Sequence, residues 1–138
     1  MKLQNVRWNW LKAMYIYSAV IASAFGLGIL LAPDMMISIF KLPPQEPVMF
    51  GITGGADLSV GICCILALVL KTPLKFSPVL FFQMTYKLLW SIFVILPILF
   101  RGELQGYGWF FFLSYLTFII GDIIAIPFAY IFSSNEAE

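Results

Sequence analysis

The sequence predicts an all-α integral membrane protein: a four-helix bundle with antiparallel spans and both termini cytoplasmic. Three observations carry that prediction. Of the 138 residues, 62% are hydrophobic and only 11% charged, which no ordinary soluble domain matches. The polar residues collect in short clusters, and between the clusters lie four long apolar runs.

The runs cover about 10–32, 48–70, 78–100 and 109–132. At ~1.5 Å per residue each is long enough to cross a hydrocarbon core of roughly 30 Å. Together they make residues 1–138 one transmembrane domain, with nothing left over for a water-soluble one. The first run ends in "LLAPDMM" and is too long for a cleavable signal peptide. Its Ala19, Ala22 and Gly26 form a small-residue stripe, the kind of surface that lets two helices approach closely in lipid.

The joint "APDMMISIFKLPPQEP" follows, in which Met35, Met36, Ile39 and Phe40 recur at near-helical spacing. That spacing predicts a short amphipathic segment over about 34–41, lying in the interface. The second run opens "GITGGADLSVG", with Gly54, Asp57 or Leu58, and Gly61 along one side. This reads as a helix seam, because the strand context and lysine of a phosphate loop are missing. Cys63 and Cys64 are adjacent within the same run, which rules out a disulfide framework and reads as apolar filler.

The joints "KTPLKFSP" and "RGELQGYG" are short enough to make the helices they connect antiparallel neighbours. Pro97 and Pro127 fall in the last turns of the third and fourth runs, where they bend the helix ends. A stripe of Gly121, Ala125 and Ala129 predicts a further seam on the fourth run. Orientation follows from the basic residues: Lys2, Arg7, Lys12, Lys71 and Lys75 fall on one side, Lys41 and Arg101 on the other. The positive-inside rule makes the first side cytoplasmic. Trp8, Trp10, Tyr107, Trp109 and Tyr130 lie near run ends and read as interfacial anchors.

Three formal charges remain inside the runs: Asp57, Lys87 and Asp122. Each costs roughly 2.5–3.5 kcal/mol near a helix centre. Counted from the non-cytoplasmic ends at ~1.5 Å per residue, Lys87 and Asp122 both lie at roughly 20 Å and Asp57 at about 14 Å. The expectation is one buried Asp-Lys-Asp network, with Lys87 neutralising one acid and the surplus negative charge favouring a bound proton or cation. Gln83 one turn away and the neighbouring Tyr86 supply further donors, and Tyr15, Tyr17, Ser18 and Thr53 are polar candidates on the other runs. The ligand or proton site is therefore expected at Asp57, Lys87, Asp122, Gln83 and Tyr86.

Taken together, "GGADLSVGI", "YKLLW" with the downstream "LPILFRGEL", and "GDIIAIPFAY" resemble small four-helix bacterial membrane proteins of the DoxX-like kind, over residues 33–130. The resemblance implies the bacterial inner membrane, and a role in quinone-linked oxidation of sulfur compounds or as an accessory subunit of a membrane complex. It brings no catalytic residue onto this chain. Where such relatives carry an arginine at the entry to the second helix, this sequence has "EPVMFGITGG".

Three function classes stay open. The first is a non-catalytic accessory or binding subunit, in which the charges hold the bundle together. The second is a proton-coupled transporter or binder of a small lipophilic molecule, acting as a homo-oligomer. The third is an enzyme acting on a lipid-soluble substrate such as a quinone, which starts without a histidine or a phosphate loop. No cofactor, metal or nucleic-acid partner is expected: there is no metal-ligand spacing, the net charge is only +1, and no basic patch exists.

Overall fold

A computed structural model describes residues 6–133, and all the regular structure among them is helical. In chain order the elements are α1 (Trp8–Leu31), α2 (Pro33–Phe40), α3 (Pro47–Val69) and α4 (Pro73–Trp90). A π-helical turn (Ser91–Ile95) joins α4 to α5 (Leu96–Phe100), and α6 (Gly106–Ala125) and α7 (Phe128–Ile131) complete the chain. Four helices are long and apolar enough to cross a membrane: α1, α3, the continuous α4–α5 rod over Pro73–Phe100, and α6. Lys2, part of the charge count above, lies outside the described residues.

Proline sets where the helices begin. Pro33, Pro47 and Pro73 each occupy the first turn of α2, α3 and α4, where a missing N–H costs nothing and the fixed φ already suits a helix. Glu46 precedes Pro47 and caps α3, its carboxylate accepting from the Val48 and Met49 amides at 3.1 and 2.8 Å. Three helix ends close with the same left-handed device. Lys41, Lys71 and Gly102 all have positive φ, and the residue after each donates to the carbonyl five positions back, at 2.9, 3.1 and 3.1 Å.

Two span boundaries differ from the sequence expectation. The third span begins at Pro73 rather than near 78, with Pro78 inside the helix. Pro78 cannot donate to the Leu74 carbonyl, but the Ser77 hydroxyl does so at 2.7 Å, so the break that proline would impose is averted. The fourth span runs Gly106–Ala125 and stops short of 132. Ile126 turns extended (ψ 126°), the conformation a following proline imposes. Ala129 is thereby carried off the Gly121–Ala125 stripe and is exposed.

The most extensive packing is between α1 and α3, and glycine makes it possible. A β-carbon on Gly26 would collide with the α3 backbone at Leu58, one on Gly54 would lie 2.7 Å from Ile29, and one on Gly61 would strike Ser23. This is the seam expected from Ala22, Gly26, Gly54 and Gly61, and it replaces the hydrophobic effect as the source of cohesion in lipid. Gly121 of α6 likewise takes the Met14 side chain. Leu11, Tyr15, Cys64 and Leu80 are fully buried between the helices. The outer surface is apolar instead, with Phe93 71% exposed, as a lipid-facing surface requires.

Candidate functional site

The ionisable residues within the spans form two polar groups rather than one. In the first, the Tyr86 hydroxyl donates to Asp57 Oδ1 at 3.0 Å and accepts from Lys87 Nζ at 2.5 Å. Asp57 comes from α3, while Tyr86 and Lys87 are consecutive on α4. In the second, Gln83 Nε2 donates to Ser18 Oγ and to Asp122 Oδ2, both at 3.0 Å. That group ties α4 to α1 and α6. Between them, the two groups cross-link all four spans. Hydrogen bonds of this kind to charged groups are worth about 1.5–3 kcal/mol each.

This corrects the expected arrangement in one respect. Among the described residues no carboxylate lies within the 4.0 Å of Lys87 Nζ that an ion pair needs. Lys87 reaches Asp57 only through Tyr86, and Asp122 belongs with Gln83 instead. The cause is register. Helix α6 begins at Gly106 rather than Trp109, so Asp122 lies about one turn deeper than the sequence placed it, level with Gln83 rather than Lys87. The one ion pair among the described residues is Arg101 with Glu103 at 2.9 Å, exposed at the joint before α6 and of little energetic weight.

What surrounds Lys87 is aromatic. Its ammonium stands 4.3 Å from the Tyr86 ring centroid, 4.6 Å from Phe118 and 4.8 Å from Tyr115. At 2% exposure these contacts replace part of the water shell, each contributing about 2 kcal/mol in a desolvated setting. Trp90, one turn on, packs edge-on against Tyr115 at 4.8 Å and extends the aromatic wall. The Ser91 hydroxyl donates to the Lys87 carbonyl at 2.8 Å. The π-helical turn begins at that serine, and such turns often lie beside functional residues.

Lys87 and Asp57 both open on a cavity of about 440 Å³. Its walls are Phe25 of α1, Phe50 and Thr53 of α3, and Tyr107, Phe111 and Tyr115 of α6. Helix α2, the expected amphipathic segment, covers one end. There Met36 is buried, and the Phe40 ring packs at 4.9 Å on Phe25 and 5.2 Å on Phe110. Asp122 and Gln83 do not line this cavity. Both are fully buried, and Gln83 Oε1 and Asp122 Oδ1 have no hydrogen-bond partner among the described residues.

The other candidates divide the same way. Tyr17 and Thr53 line the cavity, the Tyr17 hydroxyl sharing a 2.7 Å hydrogen bond with Thr117. Tyr15 is structural, its hydroxyl donating to the Pro73 carbonyl at 2.6 Å, and Ser18 serves Gln83. Tyr107, read as an interfacial anchor, faces the cavity. Tyr115, Phe118 and Trp90 were not singled out by sequence; their handle is spacing, since Phe111, Tyr115 and Phe118 recur at helical intervals on the face of α6 that meets Lys87. The chain matches no protein-family model, no curated protein and no solved structure.

Proposed function

We propose that this chain is a non-catalytic binding protein of the membrane, holding one small lipophilic molecule in the cavity with its polar end at Lys87 and Asp57. The observation that carries the reading is the cavity itself. Its volume of about 440 Å³ falls in the range of small-molecule pockets, and it combines an apolar, aromatic body with a few convergent polar groups. A charge network with a purely structural role needs no such space beside it. The Ser18–Gln83–Asp122 group fits that structural role, since it lies off the cavity and joins three helices.

The rest of the reading is topological. The spans run antiparallel with both termini in the cytoplasm, supported by the short joint between α3 and α4 and by the asymmetry of basic residues. Membership of the DoxX-like group, and with it the bacterial inner membrane, rests on the motifs quoted above and supplies no ligand. Binding rather than catalysis is favoured because the chain has no histidine and its buried thiol, Cys64, does not line the cavity. Assembly as a homo-oligomer or within a larger membrane complex is compatible with the apolar outer surface and is not required by the cavity.

The test is to fill the cavity. Ser114 lines it from α6, and Ser114→Trp occupies the space while leaving both polar groups in place. Native mass spectrometry of protein purified in nanodiscs is expected to show a one-to-one lipophile on the wild type and none on Ser114→Trp at equal helicity. Equal retention by the two proteins removes the cavity as the binding site.

A further inference from the structure

Resting on that reading, the geometry points to the class of molecule the cavity takes: an uncharged, ring-bearing lipophile whose hydroxyl bridges Lys87 and Asp57. The argument begins with what each group leaves unused. Lys87 has three N–H donors and, among the described residues, spends one on Tyr86. Three rings enclose the ammonium, so the direction left for a second acceptor is the cavity it lines. Asp57 accepts from Tyr86 through Oδ1, and no donor among the described residues reaches Oδ2.

Donor and acceptor pairing then selects the bridging group. Lys87 Nζ and Asp57 Oδ1 bind the same Tyr86 oxygen, at 2.5 and 3.0 Å, so their separation cannot exceed those two bonds laid end to end. It is also more than the 4.0 Å of an ion pair. The Tyr86 oxygen fills that gap by accepting from the ammonium and donating to the carboxylate, and a ligand oxygen on the cavity side must play the same double part toward a remaining ammonium N–H and toward Oδ2. A hydroxyl meets both demands. An ether can only accept, and leaves Asp57 Oδ2 unanswered in an apolar site.

Charge narrows the class further. Among the described residues, Asp57 and Lys87 are the only formal charges lining the cavity, and they balance. A carboxylate ligand would meet Asp57 at close range and an ammonium ligand would meet Lys87, each repelled where the surroundings screen poorly. The ring requirement comes from the walls. Phe25, Phe50, Phe111 and Tyr115 offer faces and edges for aromatic contact, and aromatic side chains outnumber the aliphatic ones in the lining.

The experiment uses four probes with one apolar body: para-octylphenol, its methyl ether, para-octylbenzoate and para-octylbenzylammonium. Binding to the full chain in nanodiscs is measured by equilibrium dialysis, with Ser114→Trp as the background for partition into lipid. The phenol is expected to bind about ten-fold more tightly than each of the other three, the equivalent of one charge-assisted hydrogen bond. In Asp57→Leu and Lys87→Met, each checked for helicity and monodispersity, the preference of phenol over ether is expected to collapse to within about two-fold. Asp57→Leu alone decides the matter if Lys87→Met does not fold. Tighter binding of the ether, the benzoate or the ammonium overturns the hydroxyl class while leaving the cavity as a binding site. Failure of all four to bind above the Ser114→Trp background overturns both.

Discussion

At the residue scale, a charge inside an apolar helix is tolerated here by neighbours that are mostly uncharged. Lys87 is held by the hydroxyl and ring of Tyr86 and by two further rings, Tyr115 and Phe118, Asp57 by the same Tyr86 hydroxyl, and Asp122 by an amide. The amide is the most exposed to test. Gln83 is the only donor to Asp122 among the described residues, so Gln83→Leu strands a fully buried carboxyl group and is expected to destabilise by about 3 kcal/mol. Adding Asp122→Leu should recover most of that loss, because removing both partners leaves no orphan. Equilibrium unfolding in mixed detergent across the four proteins of the cycle measures the coupling, and additive losses would show that the pair does not interact. Sequence singled out Asp57, Lys87, Asp122, Gln83 and Tyr86, since each is a polar residue conspicuous in its apolar run. It misassigned who meets whom, because α6 starts three residues before the assumed point and every later side chain on that helix lies about one turn deeper than counted.

At the element scale, the joints were legible and the irregular turns were not. Prolines in "APDMM", "QEPVM" and "KTPLK" lie in the first turns of α2, α3 and α4, because proline is tolerated in the first turn and nowhere else so cheaply. The third span nonetheless reads in sequence as beginning near Pro78, since a sequence does not show that Ser77 satisfies the Leu74 carbonyl and keeps the helix continuous from Pro73. Ser77→Ala is therefore expected to weaken the head of α4 by about 1 kcal/mol, visible as faster hydrogen exchange over residues 73–80. An unchanged exchange rate would mean that Pro78 needs no such support. The left-handed turns give a prediction of opposite sign. Lys71 closes α3 at φ 54°, a conformation that costs a residue with a β-carbon about 1 kcal/mol. Lys71→Gly should raise the melting temperature accordingly, whereas a fall would show that the lysine side chain contributes more than its backbone strain costs.

At the scale of the whole molecule, helix class and span number follow from composition and spacing alone, because a bilayer admits few ways to satisfy twenty apolar residues. The cavity does not follow from them. It exists because Gly26, Gly54 and Gly61 draw α1 and α3 together while the large rings of α6 hold that helix away on the side where Lys87 lies, and a sequence read one helix at a time contains no such difference. Topology is the property that joins these scales, since it decides from which side of the bilayer the end capped by α2 is reached. The proposed topology, resting on five basic residues against two, puts the joint at Lys71 on the cytoplasmic side and the joints at Lys41 and Arg101 on the opposite one. Single cysteines placed at these positions, in a chain with Cys63 and Cys64 replaced by alanine, can be read with a membrane-impermeant maleimide. Lys71→Cys is expected to label only when the cytoplasmic face is opened, and Lys41→Cys and Arg101→Cys to label from outside intact cells. Labelling of all three from one side would break the antiparallel arrangement, and a clean reversal would keep the arrangement but turn the α2 end of the cavity toward the cytoplasm.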